Sequence, residues 1–259
     1  MCEGACTGET LVTTTNDLTP AALDRFADDY YLNSAIEDVD IEELAQRHSI
    51  PLILDAVRGC DRVLEMGFGT GLITAELLHA GVGLHLVEGS GRLCVEARLR
   101  HPDLVVHRSM FESFAPDEPY DAVLALHVLE HVDDPVAIAT HIARWLRPGG
   151  VLVAVTPNAE SLHRLLGVHM QLHARLDDLS ARDHLVGHRR VYTLDGLRDD
   201  LANAGYAYES SFGYLVKPFS NAQLLALDPR VIEGLNRMSR DVPPNLCANI
   251  GVVARTLCR

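Results

Sequence analysis

Lysine is almost absent from the 259-residue chain: Lys217 is the only one among 22 basic side chains. That excludes most lysine chemistry. No apolar run approaches the ~20 residues that a membrane helix requires. The N-terminus, MCEGACTGETLVTTTNDLTP, also lacks the basic start and apolar core of a secretion signal. A soluble, cytoplasmic protein with no membrane contact is expected. No C-x-x-C pair occurs among Cys2, Cys6, Cys60, Cys94, Cys247 and Cys258. Disulfide scaffolds are shorter and denser in cysteine, so these are read as reduced thiols. The formal charge of -14 disfavours a broad nucleic-acid face, whose affinity comes from Lys and Arg set against phosphates. A small-molecule partner is expected instead. No internal repeat or low-complexity segment occurs.

The chain is 47% hydrophobic and 22% charged, enough to bury a large α/β core. Short apolar runs bounded by turn residues predict strands at Arg62–Glu65, Leu84–Glu88, Leu104–His107, Asp121–Leu126 and Val151–Thr156. Between them, Leu72–Leu78, Arg92–Arg100 and Pro135–Leu146 have the apolar spacing of helices packed on a sheet. Such alternation predicts a parallel sheet with helices on both faces. A flexible tail is expected over 1–15 and a helical lid region over 16–58. The core then spans 59–259, with a polar, histidine-rich substrate-side insertion at 159–190. After the insertion, Thr193 reads as an N-cap and Gly205 as the stop of one more helix. YAYESSFGYLV and ANIGVVART read as two last strands.

The stretch RVLEMGFGTGLITAELL concentrates the chemistry. Gly67, Gly69 and Gly71 follow the first strand directly, where glycine lets the chain turn and a ligand approach the backbone. Glu88 ends the second strand, placed to accept hydrogen bonds from both hydroxyls of a ribose. The spacing is G-x-G-x-G, not G-x-G-x-x-G, and Glu65 stands two residues before the first glycine. A carboxylate there repels a pyrophosphate and attracts an ammonium group, which fits the amino-acid end of S-adenosylmethionine better than NAD.

Four segments in order, VLEMGFGTGLITAELL, LHLVEGS, YDAVLALHVLEHVDDP and LRPGGVLVAVTPN, resemble the successive motifs of class I S-adenosylmethionine-dependent methyltransferases. The resemblance is strongest to the branch with the ubiquinone-biosynthesis O-methyltransferases, and it covers residues 60–160. It implies a Rossmann-like sheet of seven strands, mostly parallel, whose last strand is antiparallel. It also implies that Glu65 and the backbone of Gly67, Phe68, Gly69 and Gly71 hold the methionine moiety, and that Glu88 holds the ribose. Gly89 and Ser90 would admit the adenine edge, and Met110 and Phe111 would flank the ring. The acid usual after the third strand is replaced by Ser109, with Glu112 as a substitute. Leu126 and His127 would line the sulfonium region, and His131 would face the substrate.

Methyl transfer is an in-line displacement at an activated methyl, so alignment and exclusion of water do most of the work. A hydroxyl acceptor adds the need for a base, for which a histidine near neutrality suits. His131 is the first candidate and His188 the second; Glu130 is read as stabilising the local turn. O-methylation of a small metabolite is preferred, with N- and C-methylation, a non-methylating cofactor-binding scaffold and, less favoured, an NAD-dependent oxidoreductase as alternatives. His163, His169, His173, His184 and His188 crowd the insertion. The i, i+4 pair His169 and His173 would share a helical face, but without acidic or cysteine ligands no metal site is assigned. Arg189 and Arg190 could bind a substrate carboxylate. Tyr30 and Tyr31 could close over the cofactor, Tyr31 through the attraction of an aromatic face for a sulfonium cation.

Overall fold

In the computed structural model, residues 19–32 and 39–257 are described. The expected tail over 1–15, with Cys2 and Cys6, lies outside the described residues, as does Cys258. Five parallel strands form the centre: β1 (Val63–Met66), β2 (Leu84–Glu88), β3 (Val105–Arg108), β4 (Tyr120–Leu126) and β5 (Leu146–Pro157). Two more, β6 (Tyr206–Tyr214) and β7 (Asn249–Thr256), complete a seven-stranded sheet of order β3-β2-β1-β4-β5-β7-β6. β7 runs antiparallel to both neighbours. The last two strands are adjacent as expected, yet no tight hairpin joins them. The chain between them carries α9 (Asn221–Leu225) and α10 (Pro229–Met238).

Strand character follows burial. All four residues of β1 are buried, as a central strand covered on both faces requires. One apolar layer joins β-strand side chains to Trp145, Leu197 and Leu201, beneath α5 (Pro135–Ile142) and α8 (Leu194–Asn203). The opposite layer gathers Ile41, Ile53, Leu77 and Leu93 from α2 (Val39–Ala56), α3 (Leu72–His79) and α4 (Gly91–Arg100). Thr193 caps α8 by accepting from Gly196 N at 3.0 Å, and Gly205 ends it with φ 90°.

Two expected boundaries move. α5 stops at Ile142 rather than Leu146. Trp145 is buried with its indole N–H donating to the Phe114 carbonyl, and Leu146 already pairs with Tyr120 at the start of β5. In the insertion, α6 (Leu162–His169) ends where Gln171 adopts φ 60°. Leu172 N then donates to Gly167 O and Gln171 N to Val168 O, the double closure of a left-handed helix end. His173 folds back against Gly167 instead of continuing a helical face with His169.

The N-terminal helices are tied to the sheet's ligand-binding edge. α1 (Pro20–Phe26) is capped by Thr19. Its Asp24 accepts from the Ser90 hydroxyl at 2.7 Å and from Arg92 N at 3.0 Å, so it sits over the turn that follows β2. A wide helical turn, Ala27–Leu32, carries both tyrosines onward.

Candidate active site

The carboxyl ends of β1, β2 and β4 open into a cavity of about 250 Å³. Such an edge is where open α/β sheets take ligands. Beyond β1 the backbone of Gly67 (φ 82°) and Gly69 (φ 54°) lines it. A Cβ added to Gly67 would meet nothing within 4 Å, and one on Gly69 only the Tyr31 ring at 3.8 Å. The glycines therefore leave space that a side chain would fill. Gly71 does something else: it lies outside the cavity lining as the residue before α3, where a Cβ would strike the Phe68 ring at 2.4 Å.

Two buried carboxylates face the cavity. Glu88 is buried; its Oε2 accepts from Phe68 N at 2.9 Å and its Oε1 from Ser90 N at 2.7 Å, which ties both loops to the end of β2. Burial raises its pKa against those bonds. Glu65, only 3% exposed, accepts from the Thr74 hydroxyl at 2.6 Å, and burial pushes its pKa up to about 8. Gly89 is held close: a Cβ there would lie 2.6 Å from Leu23 of α1 and 3.0 Å from Met110. Ser90, Ser109, Met110, Phe111, Glu112 and Leu126 complete this part of the wall.

At the end of β4 the backbone is strained. His127 has φ 57°, a left-handed conformation that costs a non-glycine residue of order 1 kcal/mol or more. It is held there from both sides: Nδ1 lies 3.2 Å from Oε1 of buried Glu130, and Nε2 lies 2.8 Å from the hydroxyl of buried Tyr214. Burial alone would raise the Glu130 carboxyl, but the bond from His127 and the neighbouring imidazoles hold it below the usual range. Glu130 thus does more than stabilise a turn.

A second cavity lies between α2, the insertion and the segment after β6, and meets the first at Tyr31, Phe68, Gly69, His127, His131 and Tyr214. His131 Nδ1 is 3.3 Å from Gly187 O, and burial holds its pKa at about 4, below the near-neutral value a free base would want. His188 lines the second cavity only, with its ring centroid 4.8 Å from that of His131. Its Nδ1 lies 2.8 Å from Asp183 Oδ1, whose other oxygen takes Arg164 and Ser180. Tyr30 lines the second cavity and donates to Glu42. Arg190 clamps the Leu129, Val132 and Asp133 carbonyls, so the loop after β4 uses it.

A sequence model described as "Methyltransferase domain" matches residues 25–211. The chain belongs to this family, the class I S-adenosylmethionine-dependent methyltransferases. The ubiquinone biosynthesis O-methyltransferase of Xanthomonas euvesicatoria is 31% identical over 173 residues, 64% of this chain and 70% of that protein. The protein of that name from Xanthomonas campestris is 32% identical over 130 residues, 48% of this chain and 51% of its own length. The chain thus spans about half the length of that relative. A solved S-adenosylmethionine-dependent methyltransferase from Mesorhizobium loti superposes with a TM-score of 0.58 at 19% identity, covering 83% of this chain and 99% of that one. That likeness is one of fold.

Tyr214, Asp183 and Arg164 of this methyltransferase were not legible as site residues. Tyr214 lies inside the strand candidate YAYESSFGYLV, whose sheet position only the fold reveals. Asp183 carried one usable signal, the S-x-x-D spacing from Ser180, which forms a capping box on α7 (Ala181–Leu185).

Proposed function

We propose that this methyltransferase binds S-adenosylmethionine in the smaller cavity and methylates a hydroxyl oxygen of a small-molecule acceptor in the larger one. The observation that carries the reading is their meeting point, where His127, His131 and Tyr214 stand between a carboxylate-lined glycine cradle and the second cavity. The residues suit the sulfonium compound. Glu65 is a buried carboxylate with a neutral hydroxyl partner, a setting that an ammonium group relieves. Gly67 and Gly69 leave room beside it, and Phe68 adds its backbone to the cradle. Glu88 suits a ribose, Gly89 and Ser90 an adenine edge, Met110 and Phe111 its faces, and Glu112 its amino group. Leu126, His127 and the Tyr31 ring would border the sulfonium.

When bound, the cofactor supplies a methyl already activated on sulfur. What remains for the chain is alignment, exclusion of water and care of one proton. His131 would accept a hydrogen bond from the acceptor hydroxyl, since Nδ1 already serves Gly187 O and burial keeps the ring neutral. His188 would hold His131 from behind. On transfer of that methyl to the acceptor oxygen, the hydroxyl proton would pass to His131 Nε2 and from there to water. O-transfer is supported by the likeness to the ubiquinone biosynthesis O-methyltransferases, and the acceptor class by the second cavity and the charge of -14, which suits neither nucleic acid nor an anionic surface. Nothing in this reading needs a compartment other than the cytoplasm.

The test is a panel of catechols, phenols, hydroxy acids and amines incubated with the protein and methyl-labelled S-adenosylmethionine. Label on oxygen of at least one acceptor, with stoichiometric S-adenosylhomocysteine, is expected. Label on nitrogen alone would overturn O-transfer, and no S-adenosylhomocysteine with any acceptor would count against transfer altogether.

A further inference from the structure

Tyr214 is 2% exposed, yet it borders both cavities. Because β7 is antiparallel to β5 and to β6, β6 runs in the direction of β4 and ends at the same edge of the sheet. There the Tyr214 hydroxyl comes within 2.8 Å of His127 Nε2, past the ends of β5 and β7, which stand between β4 and β6. His127 Nδ1 lies in turn 3.2 Å from Glu130 Oε1. A left-handed histidine held from both sides is strain of the kind that sites make use of.

The bonds of this chain of three run one way. Burial opposes ionisation of Glu130, but the bond from His127 and the nearby imidazoles keep it a carboxylate, which can only accept. His127 Nδ1 therefore carries a proton, and with the ring neutral Nε2 accepts from the Tyr214 hydroxyl. Tyr214 turns its proton to His127, which leaves the lone pairs of its oxygen to the meeting point of the cavities. The potential there is negative. Burial first, and then the Glu130 carboxylate, raise the pKa of Tyr214. Tyr31, beside Gly69, is raised by burial and then by Glu88, Glu42 and Glu130. Arg189, the arginine in the smaller cavity's lining, is paired with Asp133. Oε2 of Glu130 has no hydrogen-bond partner among the described residues, and a buried charge so placed is relieved by a cation nearby.

We propose that Tyr214, polarised by Glu130 through His127, makes the smaller cavity prefer a sulfonium to the neutral thioether left when its methyl has gone. The inference rests on the reading that this cavity takes S-adenosylmethionine, and it adds a specificity-determining residue to that site. The phenol oxygen is the uncharged end of a chain whose far end is ionised. It attracts a positive charge without the desolvation that a carboxylate in its place would suffer. Discrimination is a difference of two affinities, and here it acts on the charged form alone, so the hold on S-adenosylhomocysteine is weaker and its release is favoured.

The full chain is titrated calorimetrically with S-adenosylmethionine, with S-adenosylhomocysteine and with sinefungin, whose amine places a positive charge near the position of the sulfonium. Tyr214→Phe and Glu130→Gln should each weaken both charged ligands about tenfold, the scale of a polar contact to a charged group, and S-adenosylhomocysteine less than about threefold. Where Glu130→Gln does not fold, Tyr214→Phe, which loses one oxygen atom, decides alone. Equal weakening of all three ligands would leave Tyr214 a structural part only and overturn the inference, as would an unchanged ratio between charged and neutral ligands. With S-adenosylhomocysteine bound by the wild type, either result sinks this inference and spares the cofactor reading. Binding of none of the three by the wild type sinks both.

Discussion

Glu65 shows how one buried side chain sets a measurable property of the whole site. With its pKa raised to about 8 by burial, the carboxyl is mostly protonated at pH 7. An ammonium group beside it favours the ionised form, so binding must expel the proton. Affinity for S-adenosylhomocysteine should therefore rise with pH towards 8, by up to about tenfold per unit, and binding at pH 7 should release close to one proton. Calorimetry in two buffers of different ionisation heat measures that release, and Glu65→Gln should abolish it. The position of Glu65 was legible, because an acid before G-x-G-x-G has few other uses. The positions of Glu130 and Tyr214 were not. A glutamate in LEHV reads as a turn residue until its oxygens prove buried, and only the sheet order β5-β7-β6 brings Tyr214 within 2.8 Å of His127.

At the scale of elements, the strands before the ligand-binding edge could be read because each is a short apolar run closed by turn residues. The start of β5 could not, since LRPGG looks like a turn, and the end of α6 could not, since its left-handed residue is a glutamine and not a glycine. The insertion and the N-terminal helices cooperate as a cover. Arg182 of α7 reaches Glu42 of α2 at 2.9 Å and the Tyr30 hydroxyl at 3.0 Å, and Tyr30 itself donates to Glu42. This latch is partly exposed and contributes little to global stability, but it joins both sides of the second cavity. Arg182→Ala should leave the melting temperature within about 2 °C and speed amide exchange in α7 and the Tyr30 turn several-fold, as hydrogen exchange would record. By contrast, Ser180→Ala removes a helix cap and should cost ~1 kcal/mol, confined to the same segment. No change in exchange for either variant would mean that the cover is held by other contacts.

For the molecule as a whole, the sheet is a rigid base and the site is an edge built from loops that the base positions. The two apolar layers cover either face of the sheet, and polar bonds from Asp24, Tyr30 and Arg182 help fasten α1, the Tyr30–Tyr31 turn and the insertion above the cavities. No described helix is long and apolar enough to cross a membrane. A fold so divided should respond to its ligand mainly above the sheet. The most direct measurement is calorimetric titration of S-adenosylhomocysteine into the wild-type chain and into Gly69→Arg, which would fill the open space beside Tyr31. A single site of micromolar Kd in the wild type, lost in the variant while circular dichroism shows its fold intact, is the predicted result. Absence of binding to the wild type, or equal binding to the variant, would contradict the placement of the cofactor in the glycine cradle.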